Sequence, residues 1–254
     1  MYPSIFGVVE SYAVMLMVGI IAALAVFELY FRKWLKEKSG DIFYLEISLL
    51  LSIAIGIGGA YLTQNLYDLI QDPANYHWHW SMTFYGGLIF GVGAFFLFYF
   101  FWVRKHYPKS LDKLLVIAPS AIALAHAFGR IGCFLAGCCY GKPTEEWYGI
   151  QFTTTDTKVI PTNLFEALFL FTLFGLLLFL ALKRDCPYGP GFYLIAYGIW
   201  RFFIENLRGD YRGSFIPGLS PSQFWSIVMV VLGIAYIAYK VTRIIKQKRH
   251  EIKD

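Results

Sequence analysis

Long apolar segments constrain the fold of this chain more than any other feature of its sequence. A helix needs about 20 mainly apolar residues to cross the hydrocarbon core of a bilayer. Candidate segments lie near Val8–Phe31, Ile42–Thr63, Met82–Val103, Leu114–Phe134, Thr162–Leu182, Gly191–Glu205 and Ser222–Tyr239. The sixth is short and polar at its end. The composition, 57% hydrophobic and 15% charged, is also typical of a membrane protein. We therefore predict an all-α integral membrane protein with seven transmembrane helices.

No feature of the sequence divides the chain into parts. It has no repeat of fixed period and no low-complexity linker, so we predict one polytopic membrane domain over residues 1–254. We expect the first span to be retained, because no basic segment precedes it and no small-residue cleavage site follows it.

Lys and Arg residues predict the orientation, because basic residues near span ends stay in the cytoplasm. Most of them fall in one set of loops, within Arg32–Lys38, Arg104–Lys113, Lys183–Arg184 and Lys240–Lys253. The opposite loops carry only Lys142, Lys158, Arg208 and Arg212. We therefore expect the N terminus outside and the C terminus in the cytoplasm. The net charge of +5 reflects this topology and gives no reason to expect a nucleic acid partner.

The segment Gly129–Gly141 combines Arg130, four glycines and three of the four cysteines at the end of a hydrophobic stretch. A guanidinium at membrane depth costs several kcal/mol without a partner, so Arg130 is a candidate functional residue. The alternative is an arginine that snorkels from a helix end. Glycines favour the functional interpretation, because they let a backbone approach a ligand closely.

Cys133, Cys138 and Cys139 allow several interpretations. Small packing residues come first, a reactive thiol second, and a metal site or disulfide third, since no second Cys/His pair stands at zinc-site spacing. We expect no metal and no cofactor. Cys186 falls in a loop predicted to be cytoplasmic, where disulfides are rare.

Arg201 and Glu205 stand four residues apart, so they share a helix face and can pair. Arg208 extends that face if the helix continues so far. A self-contained ion pair is one interpretation. With Arg130 as a further intramembrane cation, an anion-binding site is the other.

Several motifs together resemble the ordered landmarks of prolipoprotein diacylglyceryl transferases. They are the glycine segment above and the runs Phe84–Leu88, Pro161–Ala167, Tyr197–Arg208 and Leu219–Gln223. The resemblance covers the chain from about Ser81 to the end of the last span. It implies an enzyme of the bacterial plasma (inner) membrane that transfers a diacylglyceryl group from phosphatidylglycerol, or another anionic phospholipid. The acceptor would be the cysteine thiol of a lipobox-containing precursor, or another thiol, and glycerol phosphate would be released.

The resemblance also implies roles for individual residues. Arg130 and Arg201 would bind the headgroup phosphate, Glu205 would orient Arg201, and Arg208 would guard the outer entrance. Further substrate-binding residues would be Gly86, Gly87, Cys133, Asn163, Glu166, Tyr197 and Gln223.

The chain also departs from the family pattern. Tyr85 stands where the family usually has a histidine that is often proposed to help deprotonate the thiol. We keep Tyr85 as a candidate catalytic residue, although tyrosine is a poor base at neutral pH unless its pKa is strongly shifted. Cys133, Ala136 and Cys138 replace an Asn and an acidic residue. His126 and Cys133 share a helix face with Arg130, so His126 is a candidate replacement base or else a buried core histidine. The alternative function is a non-catalytic phospholipid-binding or transport protein that keeps the arginines.

Overall fold

Helices dominate the computed structural model, which describes residues 4–5, 9–36, 39–74, 76–78, 83–108, 110–209 and 218–251. The α-helices in these ranges are α1 (Ser11–Glu28), α2 (Ser39–Gln71), α3 (Phe84–Phe98), α4 (Arg104–His106), α5 (Ser110–Leu135), α6 (Thr162–Arg184), α7 (Gly189–Ile204) and α8 (Pro221–Glu251). π-helical turns continue α1 through Leu29–Trp34 and α3 through Tyr99–Val103, and a 3-10 turn, Glu205–Leu207, follows α7. Two short antiparallel strands, β1 (Ser4–Ile5) and β2 (Val9–Glu10), precede α1. Met82 and Arg212, used in the sequence predictions, lie outside the described residues.

Six helical segments in the described ranges are long and apolar enough to cross a membrane. They are Ser11–Trp34, Ile42–Ile70, Gly86–His106, Leu111–Leu135, Thr162–Arg184 and Pro221–Gln247. A helix satisfies its own backbone hydrogen bonds, as lipid requires. Large apolar side chains such as Met17, Phe101 and Leu168 are also exposed, as expected of surfaces that face lipid. The chain is therefore a predominantly helical, multi-pass membrane protein.

The sixth predicted span, Gly191–Glu205, corresponds to α7, which has only 16 residues. At 1.5 Å per residue, such a helix is about 24 Å long, less than the hydrocarbon thickness of about 30 Å. The α-helix ends at Ile204 and the chain passes into the 3-10 turn. A seventh membrane span is thus not established by helix length.

The chain groups into two compact units, of which the smaller comprises residues 31–113. In this unit α2 packs against α3. A Cβ on Gly86 would collide with the side chain of Thr63 and lie 2.8 Å from the carbonyl of Gly59, so the two helices meet only because Gly86 has no side chain. A Cβ on Gly87 would make only ordinary contacts, at 3.4 Å from Ala60.

The larger unit comprises residues 1–30 and 114–254. Its core brings together three helices through buried side chains, namely Ala123 and Ala127 of α5, Leu170, Leu173 and Leu177 of α6, and Tyr197 of α7. α6 ends where Asp185 adopts a left-handed conformation and donates its N–H to the carbonyl of Leu180. This packing fixes the faces of α5, α6 and α7 on which the candidate site residues lie.

Two further contacts complete the frame of the larger unit. α1 packs on α5 at Gly132, where a Cβ would lie 3.1 Å from Met15 Cβ and 3.3 Å from Tyr12 Cα. α7 packs on α8 at Gly198, where a Cβ would lie 2.9 Å from the carbonyl of Ser226. In contrast, no described residue comes within 4 Å of the position that a Cβ on Gly129 would take.

Candidate functional site

A buried ion pair joins α5 to α6. Arg130 Nη2 lies 3.1 Å from Glu166 Oε1, and the Glu166 side chain is only 1% exposed. The same carboxylate oxygen accepts a hydrogen bond of 2.8 Å from the hydroxyl of Tyr197 on α7. Because a buried charge needs a partner and hydrogen bonds, Glu166 holds the three helices in one arrangement. The guanidinium of Arg201 and the ring of His126 also interact electrostatically with Glu166.

His126 lies beside Tyr197, its Nε2 3.5 Å from the phenol oxygen and its ring edge-on to the tyrosine ring at 4.9 Å between centroids. The phenol O–H donates to Glu166, so a His126 tautomer with its proton on Nε2 can donate to the phenol oxygen, and Nδ1 is then an acceptor. Arg130, on the same helix, interacts electrostatically with both His126 and Cys133. The predicted pairing of the imidazole with the thiol stays a prediction.

Two groups contact the guanidinium of Arg201, on α7: Glu205, in the 3-10 turn, and Ser222, at the start of α8. Arg201 Nη2 lies 2.8 Å from Glu205 Oε2 and donates to Ser222 Oγ at 2.9 Å. The second oxygen of Glu205 accepts from the hydroxyl of Ser220 at 3.0 Å. The pair expected from the i,i+4 spacing is thus present, and the start of α8 fixes it in place. Gln223 joins this corner, because its amide accepts from the Ser220 N–H and donates to Asn206.

Three buried N–H groups near these ion pairs lack a hydrogen-bond acceptor among the described residues. They belong to Arg130 Nε, Arg201 Nη1 and Trp200 Nε1. Buried donors are nearly always paired, and an unpaired one carries a penalty of about 1–3 kcal/mol. Two of the three are on charged guanidinium groups. An anionic ligand with several oxygen acceptors, such as a phosphate, would satisfy them.

Arg208 leaves the helical face predicted for it, because the α-helix ends before it. The residue is extended, at φ −77° and ψ 145°, and its backbone pairs with Gly141 in the segment between α5 and α6. Its side chain is buried and donates a hydrogen bond to the sulfur of Cys139. Arg208 therefore ties the end of α7 to the cysteine-containing segment.

Three cysteine thiols converge at the C-terminal end of α5, one in its last turn and two in the turn that follows. The sulfur atoms of Cys133, Cys138 and Cys139 all lie within 4.8 Å of one another. Hydrogen bonds from the thiols of Cys133 and Cys138, together with the guanidinium of Arg208, lower the pKa of the Cys139 thiol below its ordinary value. This cluster is the one group of His, Cys, Asp or Glu residues in the described ranges whose geometry could hold a metal ion.

Side chains at the start of α6 hold the turn that carries the thiols. Asn163 Nδ2 donates to the carbonyl of Cys138, and Thr162 Oγ1 donates to that of Cys139, each at 3.0 Å. The sequence predicts Asn163 as a substrate-binding residue, and in the structure its amide contacts the protein backbone. Its role in substrate binding stays a prediction.

Tyr85, Gly86 and Gly87 belong to the first turn of α3, in the smaller unit. The structure describes how Gly86 and Gly87 pack against α2, and it leaves the predicted roles of all three residues untested.

Sequence reasoning missed two contributors to the site. Ser222 accepts from Arg201, and Trp200 stacks on Phe169 with ring centroids 4.4 Å apart while its indole N–H lacks an acceptor in the described ranges. Both lie within or next to motifs that carry the family resemblance. Trp200 directly precedes Arg201 in the sequence, and Ser222 directly follows Pro221. These positions are a weak signal, because they do not reveal which way either side chain points.

Members of one family of membrane enzymes are similar to this chain over nearly its whole length. A family model described as prolipoprotein diacylglyceryl transferase matches residues 4–239. The phosphatidylglycerol–prolipoprotein diacylglyceryl transferase of Clostridium tetani is 32% identical over 96% of this chain and 97% of its own length. A second enzyme of that name, from Clostridium perfringens, is 34% identical over 94% of each chain. One from Pseudoalteromonas atlantica is 30% identical over 95% of this chain and 90% of its own. The chain therefore belongs to the prolipoprotein diacylglyceryl transferase family.

Proposed function

We propose that this chain transfers the diacylglyceryl group of phosphatidylglycerol to the thiol of a prolipoprotein cysteine. The observation that carries the proposal is that buried guanidinium N–H groups of Arg130 and Arg201 have no acceptor within the described ranges. Phosphatidylglycerol presents one phosphate, which offers the oxygen acceptors that both groups lack. The names of the relatives describe enzymes with this lipid and this acceptor.

The reaction explains why two arginines are needed. The acceptor thiolate attacks the glyceryl carbon that carries the phosphate, a carbon–sulfur bond forms, and the carbon–oxygen bond breaks. The electron pair remains on the phosphate oxygen of the departing glycerol phosphate. Donors preorganised around that oxygen stabilise the developing charge, most strongly in a site from which water is excluded. Arg130 and Arg201 are the donors in this proposal.

The remaining residues position these two arginines. Glu205 and Ser222 fix Nη2 of Arg201, and Nη1 has no acceptor among the described residues. Glu166 holds Arg130 in the same way, and Tyr197 and His126 fix the Glu166 carboxylate. We assign His126 as a positioning residue that acts through Tyr197. Arg208, beside Cys139, forms the outer edge of the site.

We further propose that α7 is a seventh span, with the N terminus outside and the C terminus inside a bacterial plasma membrane. The 3-10 turn after Ile204 supplies part of the length that the 16-residue helix lacks. The basic stretch at the end of α8 supports a cytoplasmic C terminus. A fluorescent protein that matures only in the cytoplasm, fused after Asp254, should fluoresce; a dark fusion of normal abundance contradicts this orientation.

The proposed activity is tested with purified protein in phosphatidylglycerol vesicles and a peptide that carries a lipobox cysteine. The peptide should gain the mass of one diacylglyceryl group, and an equal amount of glycerol phosphate should appear. A peptide with serine in place of the cysteine and vesicles of phosphatidylcholine are the controls. Saturable binding of phosphatidylglycerol without any modified peptide would instead support the non-catalytic lipid-binding function, in which the arginines hold lipid and no thiol is activated.

A further inference from the structure

The turn after α5 is built so that three thiols face one another. Gly137 and Cys139 both have positive φ, 70° and 61°, and for a non-glycine residue this conformation is strained. The N–H of Cys138 donates to the carbonyl of Cys133 at 3.0 Å, which closes the turn on the helix end. Strained residues persist where the surroundings over-determine them, and they cluster at functional sites.

Hydrogen bonds from other segments hold this strained turn. Thr154 Oγ1 donates to the carbonyl of Gly137 at 2.9 Å, in addition to the bonds from Asn163 and Thr162 to the next two carbonyls. Three successive carbonyls are therefore fixed by side chains. Simple packing of small cysteines does not require such support, whereas a set of ligands that must keep its geometry does.

We propose that Cys133, Cys138 and Cys139 bind one Zn²⁺ whose fourth position is taken by the thiolate of the acceptor cysteine. This inference rests on the proposed transfer to a thiol. Catalytic zinc sites keep three protein ligands and one open position, and thiolates are preferred by soft or borderline metals. Two sulfurs on one tetrahedral Zn²⁺ lie about 3.8 Å apart. Sulfurs within 4.8 Å of one another reach one ion through small side-chain rotations.

The charges around the cluster suit such a site. Three thiolates and one Zn²⁺ carry a net negative charge, and a fourth thiolate increases it. Arg208 donates a hydrogen bond to the Cys139 sulfur, and Arg130 interacts electrostatically with Cys133. Two positive groups therefore offset the excess charge. Cys133 also follows Arg130 by three residues on α5, so their Cβ atoms lie about 5–6 Å apart. A thiolate held here would be close to a phosphate bound by Arg130.

The metal would supply what the tyrosine at position 85 cannot. A thiol that coordinates Zn²⁺ is deprotonated, and its proton passes to water at the outer face. The bound thiolate then attacks the glyceryl carbon, and the electron pair of the broken carbon–oxygen bond stays on the phosphate. The thioether product is a weaker ligand than a thiolate and leaves the metal. No oxidant or reductant takes part in this sequence.

The amount of zinc bound per chain tests the proposed site independently of enzyme activity. The full chain is purified in detergent through a histidine-free affinity tag and analysed for zinc after dialysis against zinc-free buffer. We expect about one Zn²⁺ per chain. Cys138→Ser and Cys139→Ser should each retain less than roughly a tenth of it. Cys186→Ser is the matched control, because Cys186 lies outside the cluster, and it should keep the full amount. A cooperative thermal transition, even at a lower temperature, shows that the variants are folded.

Cobalt substitution tests the open position. Co²⁺ in a thiolate site has visible absorption bands that depend on its ligands, so the lipobox peptide should change the spectrum and its serine analogue should not. Removal of zinc by a strong chelator should slow the transfer at least ~30-fold at pH 7, because a free thiol of pKa about 8.5 is only ~3% ionised there. Added Zn²⁺ should restore the rate.

The results separate this inference from the proposed function. A chain that binds no zinc and has three freely titratable thiols, or a disulfide among them, overturns the site. A chain that transfers diacylglyceryl groups at full rate without metal overturns the inference and leaves the proposed function intact. A zinc-loaded chain that never modifies the peptide overturns the proposed function, and the role of the metal with it.

Discussion

Arg130 and Glu166 form an ion pair with 3.1 Å between Nη2 and Oε1, on helices that also pack through an apolar core. The pair leaves Nε of Arg130 without an acceptor in the described ranges, so Glu166 neutralises the charge without using all its donors. Because one part of the guanidinium pairs with Glu166 and another part does not, the protein can hold Arg130 in place while it binds an anion. It also makes the two residues interdependent.

Removal of either partner should therefore destabilise the protein more than removal of both. Glu166→Leu alone leaves a buried arginine charge and should lower the free energy of unfolding by about 3–5 kcal/mol. The double variant Arg130→Met with Glu166→Leu should recover most of that loss, yet remain inactive. Thermal unfolding of the single and double variants in one detergent, compared as a cycle, measures the coupling. Additive effects would mean that the two side chains do not stabilise each other.

Arg201→Lys should lose nearly as much activity as Arg201→Ala. Nη2 of Arg201 is bound by Glu205 and Ser222, and Nη1, which none of the described residues accepts from, is proposed to bind phosphate. A lysine has one nitrogen and cannot serve both sides in a fixed geometry. We expect the turnover of phosphatidylglycerol to fall by at least ~100-fold, on the scale of a lost transition-state donor.

Arg184→Lys is the control for the Arg201 variants, since Arg184 lies in the last turn of α6, away from these contacts. It should turn over lipid at the parent rate. Normal turnover by Arg201→Lys would exclude a role that needs both ends of the guanidinium.

Sequence reasoning succeeded where contacts are local. Apolar runs predicted the long helices, because lipid-facing segments must be both apolar and internally hydrogen-bonded. The i,i+4 spacing predicted the pair between Arg201 and Glu205, which the structure has at 2.8 Å. The point where α7 ends was not predictable, because the polar residues after Ile204 are compatible with either a continued helix or a turn.

Contacts between helices could not be predicted in the same way. Glu166 meets Arg130 only because of how α5 and α6 are rotated about their axes, and apolar helices carry little periodic signal for that rotation. The convergence of three thiols depends on positive φ at Gly137 and Cys139. Glycine makes the first conformation easy to anticipate, but a cysteine does not indicate the second.

His126→Ala should reduce the transfer rate by about tenfold, the effect of losing one hydrogen bond that positions Tyr197 and Glu166. His126→Gln should restore most of the rate, because its amide can donate to the phenol oxygen in place of Nε2. The loss should appear in kcat, while binding of phosphatidylglycerol changes little. His106→Ala, at an exposed histidine, is the control and should behave as the parent.

A loss of ~10²–10⁴-fold in His126→Ala that glutamine does not rescue would assign the imidazole as the general base instead. The comparison of the two variants distinguishes these roles, since an amide can position a phenol but cannot accept a proton at neutral pH.

Substitution by alanine at two glycines of α5 should change the free energy of unfolding in opposite directions. Alanine at position 132 would place a Cβ 3.1 Å from Met15 Cβ and 3.3 Å from Tyr12 Cα, and neither atom can rotate away, so α1 must shift. Gly132→Ala should lower the free energy of unfolding by ~1–3 kcal/mol, the usual effect of overpacking. Gly129→Ala meets open space and should raise it by about 0.4–1 kcal/mol, because alanine is a better helix former. Unfolding of both variants followed by tryptophan fluorescence checks the prediction. A stabilised Gly132→Ala would mean that α1 does not pack on α5 at this point.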